Sequence, residues 1–349
     1  MCLLGIDLGG TTIKAGLVDR QGQLLARGQV ATGAAEGARA VLGRIIALAG
    51  EVAQRQGLAR REIEAAGIGV PGWVDVARGL VRLAPNLFWR DFPLQAELAA
   101  ELGRPVVVDN DAHVAALGEM WQGAGQGYRS LLMVTIGTGI GSGLILDGRV
   151  WRGVAGYGAE MGHVKMVRGG LPCHCGGRGC LETLASATAM VRMFREGLAA
   201  GRPSSLQDQP GLGAREILAA AARDDSLARE VVDCAASYLG QALANAVLLV
   251  GPEAIIIGGG PAGAGEVLLA PIRSYLAAYL GPWQLKPLPV LAARLGNDAG
   301  LIGAARLALH EQQNREEPLL GASSLPANHK NVSARGGGYV PEPRKHKRR

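Results

Sequence analysis

The sequence has no hydrophobic run long enough to cross a membrane. Its longest apolar stretches, such as Ala242–Val250 and Ala254–Ile257, fall far short of the roughly 20 residues that a bilayer requires. The short apolar N-terminus leads directly to Asp7, which is not the pattern of a secretory signal. We therefore expect a cytoplasmic protein without a membrane partner.

Two common nucleotide-binding motifs are also absent. There is no Walker loop, and no Gly-x-Gly-x-x-Gly motif opens a helix after the first predicted strand, which excludes ordinary P-loop and Rossmann proteins. Charged residues are scarce, at 19%, whereas hydrophobic residues make up 48% of the 349 residues. This balance is typical of a soluble globular protein of about two domains. Glycine is abundant, but its 53 copies form short clusters rather than a repeat, which excludes a collagen-like chain.

The formal net charge of +6 is concentrated near the end of the sequence. Residues 311–349 contain eight Lys or Arg and four Glu, so residues 1–310 carry only +2. We expect residues 312–349 to form a disordered basic tail. Because the tail has neither interleaved aromatic residues nor a recognition-helix pattern, we expect no specific nucleic-acid partner.

Cysteine is rare, and three of the five cysteines lie close together. Cys173, Cys175 and Cys180 fall within eight residues, which favours metal binding in a reducing compartment over disulfides. With His163 upstream, the spacing offers three thiolates and one imidazole, a donor set that suits tetrahedral zinc. Four protein ligands would make the metal structural rather than catalytic. His174 remains an alternative fourth ligand.

Three apolar runs near the N-terminus predict a β-meander. Leu3–Leu8, Thr12–Val18 and Gln23–Val30 have strand character and are joined by polar or glycine-rich turns. Residues 35–57 follow with apolar positions at helical spacing, and Ala65–Val70 is again strand-like. The predicted order is therefore βββαβ.

The middle of the chain repeats the pattern of strand, glycine turn and strand. Leu131–Ile136 and Ser142–Leu146 flank a Gly-Thr-Gly turn, much as the first two strands flank Gly-Gly-Thr. Two such units about 130 residues apart predict two similar domains facing each other across a cleft. The other predicted elements are a helix over Leu94–Leu102, a strand over Val106–Asp109, a helix opening at Asp111, helices within Leu181–Val250, strands at Ile255–Ile257 and Val290–Ala292, and a helix capped by Asp298 that ends near Leu309.

Glycine turns after strands let backbone N–H groups approach an anion, because glycine has no Cβ. In the first turn, Asp7 offers a carboxylate for Mg²⁺, and Lys14 adds positive charge near the threonine hydroxyls. A plain hairpin is the alternative for any one such turn. A third glycine turn, Gly258–Gly260, follows a buried strand. Three such turns in one chain favour phosphate binding over plain hairpins.

Polar residues follow the apolar strand residues Val106–Val108, at the end of a strand where ligands usually contact an α/β sheet. One residue of Asp109-Asn110-Asp111 is expected to cap the next helix. Three polar residues exceed what a cap needs, so we expect a carboxylate here to accept a hydroxyl proton. Glu160 and Glu182 flank the cysteine cluster, where a rigid loop could orient them toward hydroxyl groups.

Seven short motifs stand out along the chain: Asp7-Leu8-Gly9-Gly10-Thr11, Asn110-Asp111-Ala112, Gly137-Thr138-Gly139-Ile140-Gly141, Glu160-Met161-Gly162-His163, Cys173-x-Cys175-Gly176-x-x-Gly179-Cys180-x-Glu182, Ile257-Gly258-Gly259-Gly260 and Asn297-Asp298-Ala299-Gly300. Together, these motifs resemble the ROK (repressor, open reading frame, kinase) sugar kinases of the actin/hexokinase-like ATPase superfamily, over roughly residues 3–310. His113 departs from the family pattern, since Asn or Gly is common there.

The resemblance implies a two-domain α/β fold of the actin/hexokinase-like, ribonuclease H-like type, with an interdomain cleft and a structural zinc loop. We expect an N-terminal domain over 1–117, completed by a last helix over 298–311, and a C-terminal domain over 118–297. The basic tail would follow over 312–349. A homodimer or homotetramer is expected.

The implied reaction is phosphorylation of a hexose 6-hydroxyl by Mg-ATP, with Asp111 as the general base. One structural zinc per chain is expected on His163, Cys173, Cys175 and Cys180, with the second nitrogen of His163 facing the sugar. The implied sugar-binding residues are Gly72, Asn86, Asn110, Asp111, Glu160, His163 and Glu182. The implied ATP-binding residues are Asp7, Gly9, Gly10, Thr11, Thr12, Lys14, Gly137, Thr138, Gly139, Gly258, Gly259 and Gly260.

Glucose is the expected substrate, because Pro71-Gly72 with Ala84-Pro85-Asn86-Leu87 resembles the bacterial glucose kinases of the family. Fructose, mannose and N-acetylhexosamines remain open, and polyphosphate is a less favoured donor. The family also contains sugar-responsive repressors, which carry a winged helix before the first glycine turn. Here that turn begins at Asp7, so a regulator would lack its own winged helix.

Overall fold

The computed structural model describes residues 2–154, 156–283 and 286–316. Most of the expected basic tail, residues 317–349, lies outside the described residues. The described chain forms two α/β lobes, each built on a five-stranded sheet, with a small three-stranded sheet on the first lobe.

Residues 2–122 contain the first sheet, the small sheet and three helices. In chain order the elements are β1 (Cys2–Leu8), β2 (Thr12–Val18), β3 (Leu24–Ala31), α1 (Ala38–Gln54), β4 (Ile63–Val70), β5 (Trp73–Asp75), β6 (Leu80–Ala84), β7 (Trp89–Phe92), α2 (Leu94–Leu102), β8 (Val106–Asn110) and α3 (Asp111–Gln122).

The rest of the described chain contains the second sheet and six helices. These elements are β9 (Leu131–Ile136), β10 (Ile140–Leu146), β11 (Arg149–Val150), α4 (Glu182–Ala185), α5 (Ala187–Ala199), α6 (Ala214–Ala221), α7 (Ser226–Val250), β12 (Ala254–Gly258), α8 (Glu266–Leu280), β13 (Val290–Ala292) and α9 (Ala299–Glu316).

The two large sheets have the same topology. The first has the order β3-β2-β1-β4-β8, with three antiparallel strands followed by two parallel ones. The second repeats this arrangement as β11-β10-β9-β12-β13. The prediction of two similarly built halves is confirmed. Since ligands bind outside the carboxyl ends of parallel strands, the turns at those ends are where a site is expected.

Helix α9 joins the first lobe although it comes last among the described elements. It crosses β1 and β4 at two glycines, where a Cβ on Gly5 would lie 1.9 Å from the Leu301 carbonyl oxygen and one on Gly67 would lie 1.8 Å from that of Ala304. Only glycine permits this close approach. Helix α9 thus packs on the first sheet, and the predicted domain boundary at residue 117 falls inside α3.

Each lobe has its own hydrophobic core. Helices α1 and α2 pack against the first sheet, and α5 to α8 pack against the second. Among the described residues, α7 is the one helix that is long and apolar enough to span a membrane. Half of its most apolar segment is buried, as in a core helix of a soluble protein, so it is weak evidence for a membrane span.

Several sequence predictions differ from the structure in detail. The final helix continues to Glu316 rather than ending near Leu309. The Asp298 carboxylate, predicted to cap that helix, accepts 2.6 Å hydrogen bonds from Arg27. The small sheet β5-β6-β7 was not predicted, because its strands are three to five residues long and contain charged residues.

Candidate active site

The corner between β8 and α3 carries the predicted catalytic segment. Asn110 caps α3, since its Oδ1 accepts hydrogen bonds from the amides of Ala112 (2.9 Å) and His113 (3.3 Å). Its Nδ2 donates to the Gly72 carbonyl oxygen at 3.1 Å, which ties the corner to the small sheet. Gly72 has φ +104°, and a Cβ there would lie 2.2 Å from the Leu83 oxygen, so the position requires glycine.

Asp111 is the first residue of α3 and is half-buried. Removal from water raises the pKa of its carboxyl to about 6, and the carboxylates of Asp7 and Glu160 add to the rise. The hydrogen bond from the Ala112 amide opposes it. A carboxyl with this pKa is ionised at neutral pH and is more basic than an exposed one, as suits a general base.

The β1–β2 turn lies next to this corner. Lys14 Nζ lies 3.3 Å from Asp7 Oδ2, so a cation and a carboxylate meet beside the glycines of the turn. A Cβ on Gly10 would lie 2.9 Å from that of Asn86, which places the predicted sugar residue against this turn. A Cβ on Gly300 would lie 3.0 Å from Asp7 Cγ, so α9 begins at the same place.

The corresponding β9–β10 turn is held in place by the helices of the second lobe. The Gly137 amide donates to the Gly139 oxygen at 2.9 Å, and Thr188 Oγ1 donates to the Thr138 oxygen at 2.9 Å. Glu182 Oε2 accepts a hydrogen bond from the Ile140 amide at 3.1 Å. A Cβ on Gly139 would lie 2.1 Å from this oxygen, so the glutamate needs the glycine beside it.

The third glycine turn follows β12. Gly259 has φ +86°, and a Cβ there would lie 2.0 Å from the oxygen of Ile136, the last residue of β9. Gly258 to Gly260 therefore lie at the same edge of the second sheet as the β9–β10 turn. A Cβ on Gly260 would meet no atom within 4 Å, so this residue borders open space.

Four predicted metal ligands come together in the segment before α4. The donor atoms of His163, Cys173, Cys175 and Cys180 all lie within 4.8 Å of one another. Cys175 Sγ and Cys180 Sγ are 3.6 Å apart, near the roughly 3.8 Å expected for two sulfurs on a tetrahedral zinc with Zn–S bonds of about 2.3 Å. His174 is exposed and outside the cluster. The donor set therefore fits a structural zinc with His163 as the fourth ligand.

Glu160 and Glu182 lie on either side of this cluster. Ser142 fixes the backbone around Glu160, since its hydroxyl donates to the Ala159 oxygen and accepts from the Met161 amide at 2.9 Å. Partial desolvation raises the pKa of Glu160, and Glu182 contributes to the rise. Cys173 Sγ lies 3.5 Å from Glu182 Oε1, so Glu182 lies between the cysteine cluster and the β9–β10 turn.

Two contacts between the lobes were not predicted. Arg152, which follows β11, pairs with the buried carboxylate of Asp109 in β8. The rings of Trp73 in β5 and Tyr157 pack edge to face, with centroids 5.9 Å apart. No motif marks these residues in the sequence, because each pair is brought together only when the two lobes meet.

The arrangement defines the class of protein. Two sheets of the same topology, each with a glycine turn at its carboxyl edge, form the actin/hexokinase-like ATPase fold. The sequence matches the ROK family over residues 3–311. It is 39% identical to a glucokinase of Halalkalibacterium halodurans over 319 residues, which cover 90% of this chain and 97% of that one. The chain belongs to the ROK family.

Solved structures agree with this placement. A ROK family glucokinase from Streptomyces griseus, in complex with glucose and AMPPNP, has a TM-score of 0.78 and 38% identity, covering 89% of this chain and all of that one. A ROK family transcriptional regulator, described as a homologue of the E. coli MLC protein, also has a TM-score of 0.78, at 30% identity, covering 87% of this chain and 76% of that chain. The family and fold predicted from the sequence are confirmed.

Proposed function

We propose that this protein transfers the γ-phosphoryl group of Mg-ATP to the 6-hydroxyl of glucose. The chain is a hexose kinase: its glucokinase relatives match it over most of its length. The reaction's details rest on one observation, the half-buried Asp111 carboxyl with its pKa raised to about 6 at the start of α3.

Asp111 accepts the proton of the sugar 6-hydroxyl while the oxygen of that hydroxyl attacks the γ-phosphorus of ATP. The hydroxyl alone is a weak nucleophile, and a positioned base is typically worth about 10²–10⁴ in rate. Phosphoryl transfer otherwise depends on alignment and charge neutralisation. Two lobes that meet around both substrates supply the alignment and exclude water.

The sugar is held by residues from both lobes. Asn110 already uses both lone pairs of Oδ1 and one N–H of its amide within the protein, so its second N–H remains to donate to a sugar hydroxyl. The other proposed sugar contacts are Gly72, Asn86, Glu160, His163 and Glu182. Glu160 and Glu182 accept hydrogen bonds from hydroxyls, while the zinc-bound His163 offers its second nitrogen.

The nucleotide lies across the glycine turns. Backbone N–H groups of Gly9 to Thr12 and of Gly137 to Gly139 contact phosphate oxygens, and Lys14 adds a positive charge. Asp7 is the proposed carboxylate for the Mg²⁺ that enters with ATP. Gly258 to Gly260 border the adenosine side. The single zinc, on His163 and the three cysteines, orders the loop between Glu160 and Glu182 and takes no part in phosphoryl transfer.

We propose glucose rather than another hexose as the substrate, because the structure of a similar glucokinase contains bound glucose. Fructose, mannose and N-acetylhexosamines are the alternative acceptors, and a sugar-responsive regulator is the alternative of another class, supported by the regulator with the same fold. We further propose that the enzyme acts in the cytoplasm as a homodimer or homotetramer.

A coupled assay tests the proposal. The purified protein is assayed for ADP release with ATP and each of glucose, fructose, mannose, galactose, N-acetylglucosamine and N-acetylmannosamine. We expect glucose to give the highest kcat/KM, and NMR of the product to show phosphate on the 6-oxygen. The Asp111→Asn variant, prepared identically, controls for contaminating kinases. Absence of turnover with every sugar, combined with sugar-dependent binding to DNA, would instead favour a regulator.

A further inference from the structure

The Asp109 carboxylate is enclosed between the two lobes directly before the catalytic corner. Asp109 is completely buried, yet both of its oxygens have partners. Oδ1 accepts hydrogen bonds from His113 Nδ1 (2.9 Å) and the Asn110 amide (2.8 Å). Oδ2 accepts from Nε (2.8 Å) and Nη2 of Arg152. We call Asp109, His113 and Arg152 the Asp109 network.

The charge of this carboxylate is retained in the folded protein. Burial alone would raise the pKa of Asp109, but the hydrogen bond from His113 and the positive charge of Arg152 hold it below its usual value. A buried carboxylate paired in this way becomes very unfavourable when its partner is removed. The ion pair therefore keeps the two lobes in a fixed relation at this point.

His113 contacts the Asp109 carboxylate from the first turn of α3. Its ring is 2% exposed, Nδ1 is bonded to Asp109, and Nε2 has no hydrogen-bond partner. The histidine therefore orients the Asp109 carboxylate from within α3.

The Asp109 network lies between Asp111, the proposed general base, and Glu160, a proposed sugar-binding residue. Asp109 lies two residues before Asp111, and its Oδ1 fixes the amide of the intervening Asn110. Arg152 lies eight residues before Glu160, and its carbonyl oxygen accepts a hydrogen bond from Gly158 at 2.8 Å. The Asp109 carboxylate therefore holds the backbone beside Asp111 in the first lobe. Through Arg152 it also holds the backbone that leads to Glu160 in the second lobe.

We propose that Asp109 and Arg152 are positioning residues for phosphoryl transfer, which together set the placement of Asp111 relative to the sugar held by Glu160. The inference rests on the proposed kinase function. Since a displacement of about 1 Å at a reacting group can cost roughly a hundredfold in rate, loosening this pair should slow turnover although neither residue touches a substrate.

Chemical rescue tests the proposal. Arg152→Ala should keep the zinc content and the ATP KM of the wild type, while its kcat falls roughly ten- to hundredfold and its sugar KM rises. Because Arg152 is about a quarter exposed, millimolar guanidinium should reach the gap and restore part of kcat, whereas equimolar sodium should not. Arg229→Ala, which removes an exposed ion pair with Asp224 inside the second lobe, is the matched control and should keep wild-type kcat.

Further variants separate positioning from stability. If Asp109→Asn and Arg152→Ala act on the same element, the double variant should be no slower than the slower single one. If Arg152→Ala does not fold, Arg152→Lys keeps the charge and should still lose about tenfold in kcat, because an ammonium lacks the planar pair of donors. A folded Arg152 variant with wild-type kcat overturns the inference alone, whereas a wild-type protein without kinase activity overturns the proposed function.

Discussion

Cys173 Sγ lies 3.5 Å from Glu182 Oε1, so the cysteine cluster adjoins the carboxylate that holds the β9–β10 turn. The other carboxylate oxygen of Glu182 accepts the Ile140 amide hydrogen, directly after the glycines proposed to bind phosphate. Disturbing the metal loop should therefore affect the nucleotide as well as the sugar, since outer groups around a metal commonly transmit effects of ten- to a hundredfold.

Removal of zinc by a strong chelator is expected to raise KM for both glucose and ATP by roughly tenfold. Metal analysis of the untreated protein should find one zinc per chain, and steady-state kinetics before and after chelation give the two KM values. Cys234→Ser, which changes a cysteine outside the cluster, should leave zinc content and both KM values unchanged. A rise in the sugar KM with no change for ATP would refute the link through Glu182.

Asp111 should control the acid limb of the pH profile. Because its pKa is raised to about 6, kcat/KM for glucose is expected to fall about tenfold for each pH unit below that value. Asp111→Asn should lose a factor of about 10²–10⁴ in kcat and the acid limb with it, while sugar affinity is largely retained. An Asn variant within about threefold of the wild type would contradict the assignment.

The same pKa predicts an effect on stability. A carboxyl whose pKa is raised on folding ionises at a lower pH in the unfolded chain than in the folded protein, so stability is lost as the pH rises from about 4 to about 6 and stays lost above that range. Asp111→Asn should therefore have a higher Tm than the wild type at pH 8, and the difference should shrink as the pH falls toward 4. Calorimetry at several pH values measures this, and a lower Tm of the variant at pH 8 would contradict it.

His163→Cys separates the two proposed roles of this histidine. A thiolate is a competent fourth zinc ligand, so zinc content and Tm should remain close to those of the wild type. The sulfur has no second nitrogen for a sugar hydroxyl, so KM for glucose should rise much more than KM for ATP. Metal analysis and steady-state kinetics test both points. Retained zinc with an unchanged sugar KM would leave the imidazole a purely structural ligand.

The contact between α3 and α9 should tolerate no side chain at Gly303. A Cβ there would lie 1.5 Å from the Val114 carbonyl oxygen, so Gly303→Ala must separate the helices and should destabilise the protein by about 1–3 kcal/mol. In the exposed part of α1, a Cβ at Gly43 meets nothing within 4 Å, and Gly43→Ala should stabilise the helix by about 0.5–1 kcal/mol. Urea denaturation compares the two, and equal stability of both variants would rule out the close crossing.

The parts of the fold that could be predicted from the sequence are those fixed by local patterns. The strand β9 and the helix α2 have the predicted limits, because their apolar spacing and the glycine that follows each of them define these limits. The helical stretch from Leu181 to Val250 could not be divided correctly into α4 to α7, since its breaks at Ser186 and Asp225 depend on caps.

The site shows the same division. The four candidate metal ligands were predicted from spacing within one segment, and the structure brings them together. The pairing of Asp109 with Arg152 was not predicted, because their sequence separation reflects no periodicity and their contact depends on how two lobes meet. Asn110 was predicted as a sugar ligand, but three of its four side-chain hydrogen-bonding positions are occupied within the protein. Its Oδ1 caps α3, and its Nδ2 donates to Gly72.

The position of α9 has a consequence for biosynthesis. The ribosome releases β1 and β4 long before α9. The sheet face around Gly5 and Gly67 therefore stays uncovered until the second lobe has been synthesised. The first lobe therefore cannot complete its folding before the second lobe has been synthesised. During translation the earliest strands expose an apolar surface, so chaperone binding or aggregation of the nascent chain should concentrate on this lobe.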